Sequence, residues 1–331
     1  MENSNISWTH NTWNPWVGCD KVAPECAKCY IGREIRKQAD WQSDGSRRKP
    51  WGEVYLTKTW ADPYKWQADL PADSCKRIFT CSLSDFFHAK VDDRSVCPSS
   101  APDALSLALS QHREVARRAG STLWRDCAWQ LIRETPNLVY LILTKRPELI
   151  ASRLPNDWPN AFPNVWLGTS TGCNMTLNKM DSLRQIPVHP KAVRFVSCEP
   201  LLEDISQSIN LEGFGWVIAG GESGNNPEYP WNPQGDWRAE MKGGAGRRTM
   251  EIGWAMALLK NARAARIPFF FKQVTSGRSG VGENALGEVY REFPDPPFGK
   301  WTPMGKELVV LPPVKKIGDE SSGEITTEAS Q

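Results

Sequence analysis

Short apolar runs recur along the chain, and each is followed by a polar or glycine-containing turn. The runs are rich in Val, Ile, Phe and Leu with little alternation, which is typical of strands buried on both faces of a parallel sheet. A segment near the start of the chain, at residues 6–13, can supply a first strand. The six later runs are Arg77–Asp85, Leu138–Arg146, Asn164–Ser170, Val193–Leu201, Gly215–Ser223 and Pro268–Gln273.

Helical patterns lie between several of these runs. One begins at a Ser/Thr cap near residue 121 and repeats apolar positions at Leu123, Cys127 and Leu131. Others are predicted at 174–186, at 249–267 and from residue 26 to about 39. Alternating strands and helices predict an α/β fold. About six or seven parallel strands suit a partial (β/α) barrel with loop insertions, while a doubly wound sheet stays open as the alternative.

The pattern predicts a single domain over residues 1–313, interrupted by three insertions. The first, near 40–74, is rich in Trp and Pro, and the second, near 89–120, carries a basic stretch. The third, near 224–247, is a long polar loop directly after a strand end, where a lid would lie. The polar tail at 314–331 is predicted to be disordered.

Composition narrows the class of protein. The 331 residues are 40% apolar and 24% charged, with a net charge of +2, so no strong field attracts nucleic acid. No run of apolar residues is long enough to span a membrane, and the N-terminus lacks the pattern of a secretory leader. The nine cysteines are an odd number and are scattered outside one cluster, which favours a reducing cytoplasm over a disulfide framework.

The predicted strands turn abruptly from apolar to polar residues where they end. In (β/α) barrels the active site collects at these carboxyl ends, so we expect the polar side chains to converge at one rim. A structural role is the alternative for each, such as a solvated loop, an ion pair between Glu199 and Lys272, or a tight turn at Gly220. The residues concerned are Ser82, Ser84, Asp85, Lys145, Thr169, Ser170, Glu199, Gly220, Gly221, Glu222 and Lys272.

The cysteine cluster is the sharpest chemical signal. Cys19, Cys26 and Cys29 follow the spacing C-x6-C-x2-C. A structural zinc site needs four protein ligands, so His10, Cys75 or a more distant residue would have to complete it. Iron–sulfur clusters are also held by thiolates. A four-iron cluster on three cysteines leaves one iron open to a substrate or cofactor, as catalytic metal sites do.

These features resemble the radical S-adenosylmethionine (radical SAM) superfamily, and more closely the phage-associated three-Cys-motif family. The resemblance rests on "TWNPWVGC", "CSLSDFFH", "LTKRPE", "NVWLGTS", "RFVSCEPLL", "WVIAGGESG" and "PFFFKQ", which lie between residues 12 and 273. It implies a [4Fe-4S] cluster on Cys19, Cys26 and Cys29, with S-adenosylmethionine on the open iron. Reductive cleavage of that cofactor would give a 5′-deoxyadenosyl radical that abstracts hydrogen from a substrate.

The resemblance also implies roles at the rim. The superfamily's Gly-Gly-Glu element, which holds the cofactor's amino group, follows the second strand, whereas "GGES" here follows a late strand. Ser82, Ser84 and Asp85 are therefore better placed than Glu222 for that role. The other expected cofactor contacts are Thr169, Ser170, Gly220, Gly221 and Glu222, and the expected catalytic residues are Glu199, Lys145 and Lys272.

Partners and alternatives follow from the same reading. A radical SAM enzyme needs an electron donor such as flavodoxin or ferredoxin, and family members often have a partner protein encoded nearby. Basic clusters near Trp residues, including Arg247–Arg248, leave nucleic-acid contact open. One alternative is a zinc-stabilised binding protein, which would face nucleic acid. Another is a barrel hydrolase with Glu199 and Glu222 as paired carboxylates, which leaves the cysteines without a role.

Overall fold

Seven strands form one parallel sheet in the computed structural model, which describes residues 2–29, 54–94, 103–224, 228–230, 232–235, 246–278 and 280–304. Each of the apolar runs, and the segment near the start of the chain, forms one of these strands. In chain order they are β1 (Asn11–Trp13), β2 (Ser74–Thr80), β3 (Leu138–Thr144), β4 (Val165–Ser170), β5 (Arg194–Cys198), β6 (Trp216–Gly220) and β7 (Phe269–Gln273).

The order of the strands in the sheet follows their order in the chain, and every neighbouring pair is parallel. A doubly wound sheet reverses its strand order at a switch point. No such reversal occurs among these seven strands, and the sheet curls into a half-barrel. The prediction of a partial (β/α) barrel with six or seven parallel strands is confirmed.

Five α-helices lie in the described part of the chain: α1 (Asp62–Ala68), α2 (Asp103–Ala119), α3 (Trp124–Glu134), α4 (Asn178–Arg184) and α5 (Ile252–Ala264). None of these five is long and apolar enough to cross a membrane. The expected Ser/Thr cap of α3 is wrong, because Leu123 is the N-cap and makes no side-chain cap. Ser121 instead accepts a hydrogen bond from Leu123 N at 3.2 Å, just before the helix.

The segments expected to be insertions are partly described. The first contains a two-residue strand, Tyr55–Leu56, and α1, and the second contains α2, which packs on α3. The third is described only at 224, 228–230, 232–235 and 246–247, and the tail at 314–331 lies outside the described residues. The helix predicted from residue 26 begins as a 3-10 turn at Pro24–Cys26, and residues 30–39 lie outside the described part.

Alternate residues of each strand face two different cores. In β6, Trp216 and Ile218 point to a core rich in aromatic rings, whereas Val217 and Ala219 point to the larger core shared with the helices. In β7, Phe270 points to the aromatic core, whereas Phe269 and Phe271 point to the larger core. Burial on both faces removes the need for polar positions, which explains why the strands read as continuous apolar runs.

The aromatic core closes one end of the half-barrel around a buried arginine. Arg77 is 1% exposed, and its guanidinium carbon lies 3.7 Å from the ring centre of Phe293 and 4.7 Å from that of Trp301. Trp301 belongs to a two-residue strand, Lys300–Trp301, that pairs with the start of β2. The start of β2 is therefore covered, and the opposite, carboxyl end of the sheet carries the polar residues.

We expect acid to destabilise this fold through a buried histidine. His112 is fully buried against the ring of Trp60, and burial lowers its pKa from 6.5 to about 4. Between pH 6.5 and about pH 4, this histidine is therefore protonated in the unfolded chain but neutral in the folded chain. Stability is complete above pH 6.5 and should fall by about 3 kcal/mol between pH 6.5 and pH 4 from this group alone.

The measurement is urea unfolding of wild type and His112→Phe across that pH range. Phenylalanine keeps an aromatic ring against Trp60 but cannot be protonated, so the variant should lose less stability toward acid. His10, with a pKa lowered to about 3 by burial and the Arg77 charge, remains in both proteins and contributes to the slope that they share. Equal slopes for the two proteins would show that His112 is not responsible.

Candidate active site

A cleft opens at the carboxyl end of the sheet, where the cysteine loop at residues 19–29 lies across the strand ends. The three clustered thiols, of Cys19, Cys26 and Cys29, all line it. Most of the polar residues predicted from the strand ends line the same cleft. They are Ser82, Ser84, Asp85, Lys145, Ser170, Glu199, Gly221, Glu222 and Lys272.

Two expected contacts are not in the lining of this cleft. Thr169 is fully buried, and its hydroxyl donates to the carbonyl oxygen of Thr144 at 3.1 Å, between neighbouring strands. Gly220 lies at the end of β6, where an added Cβ would meet the side chain of Lys272 at 3.4 Å. The structure places Thr169 in the sheet and Gly220 against β7.

The chain enters the cysteine loop through contacts with the end of β2. Gly18 donates from its backbone to Leu83 at 3.0 Å and forms a bridge with Ser84. The Ser84 hydroxyl donates to the carbonyl oxygen of Trp16 at 2.9 Å. Gly18 has a φ of +114°, which a residue with a side chain rarely adopts, so glycine permits this turn directly before Cys19.

Asp85 is the centre of a buried network rather than an open ligand. Its Oδ1 accepts from Phe87 N at 3.0 Å and from the Thr144 hydroxyl at 2.8 Å. Its Oδ2 accepts from Lys145 N and from Arg146 Nη1, each at 3.1 Å. Both oxygens are therefore used to tie the end of β2 to the end of β3.

Arg146 carries this network to the cysteine loop. Its Nη1 lies 3.6 Å from Cys19 Sγ, and its Nη2 donates to the carbonyl oxygen of Asp20 at 2.8 Å. Burial raises the pKa of Cys19 to about 12, although the Arg146 charge works in the opposite direction. The guanidinium is thus placed to stabilise negative charge on that sulfur.

A second buried arginine holds the other end of the loop. Arg248 is fully buried and forms an ion pair with Glu222, through Nη2 to Oε1 at 2.6 Å and Nε to Oε2 at 3.0 Å. Its Nη1 donates to the carbonyl oxygen of Pro24 at 2.8 Å. Glu222 therefore supports the loop through Arg248, which the sequence presented only as part of a basic cluster. Buried in this way, the guanidinium is not an exposed contact for nucleic acid.

Gly221 is required by close packing at the same place. A Cβ added there would lie 2.2 Å from the backbone nitrogen of Thr275, which follows β7. The two loops can approach only because this residue has no side chain. The approach also brings the Thr275 hydroxyl to Met250 N at 2.9 Å, which fixes the segment that carries Arg248.

The three residues expected to be catalytic all reach the cleft. Glu199 and Lys272 form an ion pair in which the side chains are 17% and 12% exposed. Lys145 donates to the Ser170 hydroxyl at 3.2 Å. Burial acts to lower the pKa of Lys145, but Cys26, Cys29 and Glu25 outweigh it and raise this pKa. The Lys145 ammonium is therefore held charged beside the thiols.

Glu25 is a cleft residue that the sequence reasoning missed. It is 2% exposed, and its Oε1 accepts from Gly172 N at 2.8 Å and from the Thr176 hydroxyl at 2.5 Å. Its Oε2 is buried and has no hydrogen-bond partner among the residues that the structure describes. The only signal in the sequence was an acidic residue between two motif cysteines, next to Pro24.

The fourth ligands considered for zinc lie elsewhere. His10 uses both ring nitrogens, with Nδ1 accepting from Arg77 N at 2.9 Å and Nε2 bonded to the Thr302 carbonyl oxygen at 2.7 Å. Cys75 belongs to the aromatic core and donates to the carbonyl oxygen of Phe298 at 3.0 Å. Within the described ranges, no three His, Cys, Asp or Glu side chains are grouped so that they could hold a metal ion.

Comparisons with known proteins give a family and a distant structural likeness. The family described as "Protein of unknown function (DUF5131)" matches residues 3–99 and 110–243. No curated protein matches the sequence.

Among solved structures, a spore photoproduct lyase mutant with bound AdoMet and dinucleoside spore photoproduct matches 62% of this chain, at 12% identity and a TM-score of 0.32. Spore photoproduct lyase complexed with the dinucleoside spore photoproduct matches 69%, at 11% identity and a TM-score of 0.32. The chain spans 54% and 58% of the length of these two proteins, respectively.

We predict that Glu222→Gln destabilises the protein and loosens the cysteine loop. Glutamine has the same size but no charge, so Arg248 would be buried without a counter-charge. Breaking one side of such a pair should cost about 3 kcal/mol in the free energy of unfolding. Urea unfolding measures this loss, and a thiol reagent should label Cys26 faster in the variant.

Glu199→Gln is the matched control, because it also removes a paired carboxylate at the rim. Its partner Lys272 is nearer to solvent and holds no part of the cysteine loop. We expect a smaller loss of stability and no change in Cys26 labelling. If Glu222→Gln changed neither stability nor labelling, the Arg248 clamp would not be what positions the loop.

Proposed function

We propose that this chain, which belongs to the DUF5131 family, is a radical SAM-like iron–sulfur enzyme. The observation that carries the proposal is that Cys19, Cys26 and Cys29 line one cleft at the carboxyl ends of a parallel half-barrel. The motif blocks that resemble the three-Cys-motif family support it. They contribute Asp85, Lys145, Ser170, Glu199 and Lys272 to the same cleft.

The donor set suits an iron–sulfur cluster with three cysteine ligands. Three thiols are present, and the positive charges of Lys145 and Arg146 lie beside them, which favours the thiolate form that iron requires. A single zinc ion would draw its sulfurs to within about 4.6 Å of each other, because each Zn–S bond is about 2.3 Å. A four-iron cluster gives each thiolate its own iron and needs no such convergence.

When bound and reduced by one electron, a [4Fe-4S] cluster of this kind would supply the electron that cleaves S-adenosylmethionine to methionine and a 5′-deoxyadenosyl radical, which takes a hydrogen atom from the substrate. The chain's own residues have other tasks. Arg146 and Arg248 hold the cysteine loop, Lys145 keeps a positive charge beside the thiols, and the Glu199–Lys272 pair faces the cleft. The apolar lining from Ile6, Trp8 and Leu143 limits the access of water.

The hydrolase alternative requires two carboxylates that are free to act as acid and base. Glu222 is held by Arg248 through both of its oxygens, and Glu199 is paired with Lys272. Neither is available as an uncompensated carboxylate, so the paired-carboxylate mechanism fits this cleft poorly.

The proposal also covers the setting in which the enzyme works. It includes a reducing cytoplasm, a phage association, and an external one-electron donor such as flavodoxin or ferredoxin. We also propose a partner protein encoded nearby and a contact with nucleic acid, and we assign no substrate.

We predict that the protein purified without oxygen takes up about four irons when it is reconstituted with iron and sulfide, the number in a [4Fe-4S] cluster. It should then turn brown and, on reduction, form 5′-deoxyadenosine from S-adenosylmethionine. Cys26→Ala should lose most of the iron and all of the cleavage. Iron assay, visible absorbance and chromatography of the nucleoside measure these results.

Cys127→Ala is the control for the loss of a thiol. Cys127 is fully buried on α3, away from the cleft, and alanine suits a helix, so iron uptake and cleavage should match those of the wild type. Tightly bound zinc at one ion per chain, with no iron uptake, would rule out the iron–sulfur proposal in favour of the binding-protein alternative.

Glu199→Gln tests the role of a rim residue independently of iron binding by the cysteines. Glu199 faces the cleft but is not a thiol ligand, so the variant should load iron normally. Loss of its charge would leave Lys272 uncompensated at the cleft and should reduce the rate of cofactor cleavage by about 10²-fold, as removal of a positioned electrostatic group does. Single-turnover measurements on iron-matched samples test this, and an unchanged rate would remove Glu199 from the catalytic residues.

A further inference from the structure

Glu25 presents an unsatisfied acceptor at the wall of the cleft. Buried polar atoms nearly always have a partner, because an unpaired buried acceptor has lost its hydrogen bonds to water without replacement. Glu25 Oε1 has two short contacts, to Gly172 N and the Thr176 hydroxyl, which fix the direction of the carboxylate. Oε2 of the same group is buried without a partner. A ligand that donates a hydrogen bond would satisfy it.

The other three carboxylates that line the cleft are already engaged. Asp85 accepts hydrogen bonds from Thr144, Lys145 N and Arg146. Glu222 accepts from the guanidinium of Arg248. Glu199 is paired with Lys272. Of these four lining carboxylates, Glu25 alone has a buried oxygen without a partner. Asp85 and Glu222 are thus poorly suited to receive the cofactor's amino group.

Lys145 supplies the opposite charge at the same wall. An ammonium carries three N–H donors, and Lys145 makes one hydrogen bond, to the Ser170 hydroxyl, among the residues that the structure describes. Glu25 and Lys145 both line the cleft, and among the described residues they form no direct hydrogen bond with each other.

We infer that Glu25 and Lys145 together receive the α-amino-acid end of a ligand, with the ligand's amino group donating to Glu25 Oε2 and its carboxylate accepting from Lys145 Nζ. This rests on the proposed function, in which the ligand is the methionine end of S-adenosylmethionine. The cofactor's amino group would then be bound by the cysteine loop rather than by Ser82, Ser84 and Asp85 at the strand end. Glu25 precedes Cys26 directly, so cluster ligand and cofactor ligand sit on one 3-10 turn.

A purely structural role for Glu25 would have a different partner. The ammonium nitrogen of Lys179 on α4 is also buried without a hydrogen bond. Burial lowers the pKa of Lys179, and the charge of Glu25 is the leading opposing effect. If Glu25 only balanced Lys179, removing either charge would have the same consequences, and the chemistry of the ligand would not matter.

The test uses the iron-loaded full chain and two ligands that differ only at the amino-acid end. S-adenosylhomocysteine carries the zwitterion, and 5′-methylthioadenosine keeps the nucleoside and sulfur without it. Titration calorimetry should show that Glu25→Gln weakens S-adenosylhomocysteine binding about tenfold and leaves 5′-methylthioadenosine within twofold. Glutamine can still accept from Gly172 and Thr176, but it turns an NH₂ group, which is a donor, toward the donor N–H groups of the ligand.

Lys145→Met is the second variant and should show the same selective loss from the carboxylate side. Glu203→Gln removes a half-buried carboxylate that accepts from Asn174 N and does not line the cleft, and it should change neither affinity. Lys179→Met should also leave the ratio of the two affinities unchanged. Iron content and thermal stability are measured for every variant, so that a loss of cluster or fold is recognised.

The outcomes separate the two proposals. Normal iron loading with unchanged S-adenosylhomocysteine affinity in Glu25→Gln would overturn this inference and leave the iron–sulfur function standing. The same follows if Glu25→Gln weakens both ligands equally, or if Lys179→Met reproduces its effect. A wild-type protein that takes up no iron would instead overturn the proposed function, and this inference with it.

Discussion

The cysteine loop depends on two buried arginines, each balanced by a carboxylate from the rim of the sheet. Arg146, paired with Asp85, holds the carbonyl oxygen of Asp20, and Arg248, paired with Glu222, holds that of Pro24. A buried guanidinium without a counter-charge is strongly destabilising, so the loss of either carboxylate would lower the stability of the fold. The loop that carries the thiols is thereby fixed between the ends of β3 and the segment after β6.

This constraint decides which polar groups remain for chemistry. Two of the rim carboxylates are used to build the loop, and a third is paired with Lys272. In the described part of the chain, Glu25 and Lys145 each keep hydrogen-bonding capacity for a ligand. The rim is therefore divided between residues that position the cysteines and residues that face the cleft. Strand ends contribute to both kinds, as Asp85 and Lys145 show.

The sheet makes this division possible because both of its faces are packed, which holds the strand ends in place. One face packs against the helices and the other against aromatic rings such as Trp8 and Trp216, so the strand ends have little freedom. Gly168 shows how close this packing is, because an added Cβ would lie 2.3 Å from the ring of Phe195. Strand ends that are packed in this way keep the geometry of a site assembled on them.

The sequence by itself determined the seven strands, their parallel α/β arrangement and most of the cleft. Burial on both faces leaves a continuous apolar run, and each run ends where polar residues begin. Only the tertiary structure decided which polar groups are structural. Asp85 lies 61 residues from Arg146 and Glu222 lies 26 from Arg248, so no local pattern reveals those pairs. Glu25 was missed for the same reason, because the meaning of a buried charge depends on the partners that folding brings to it.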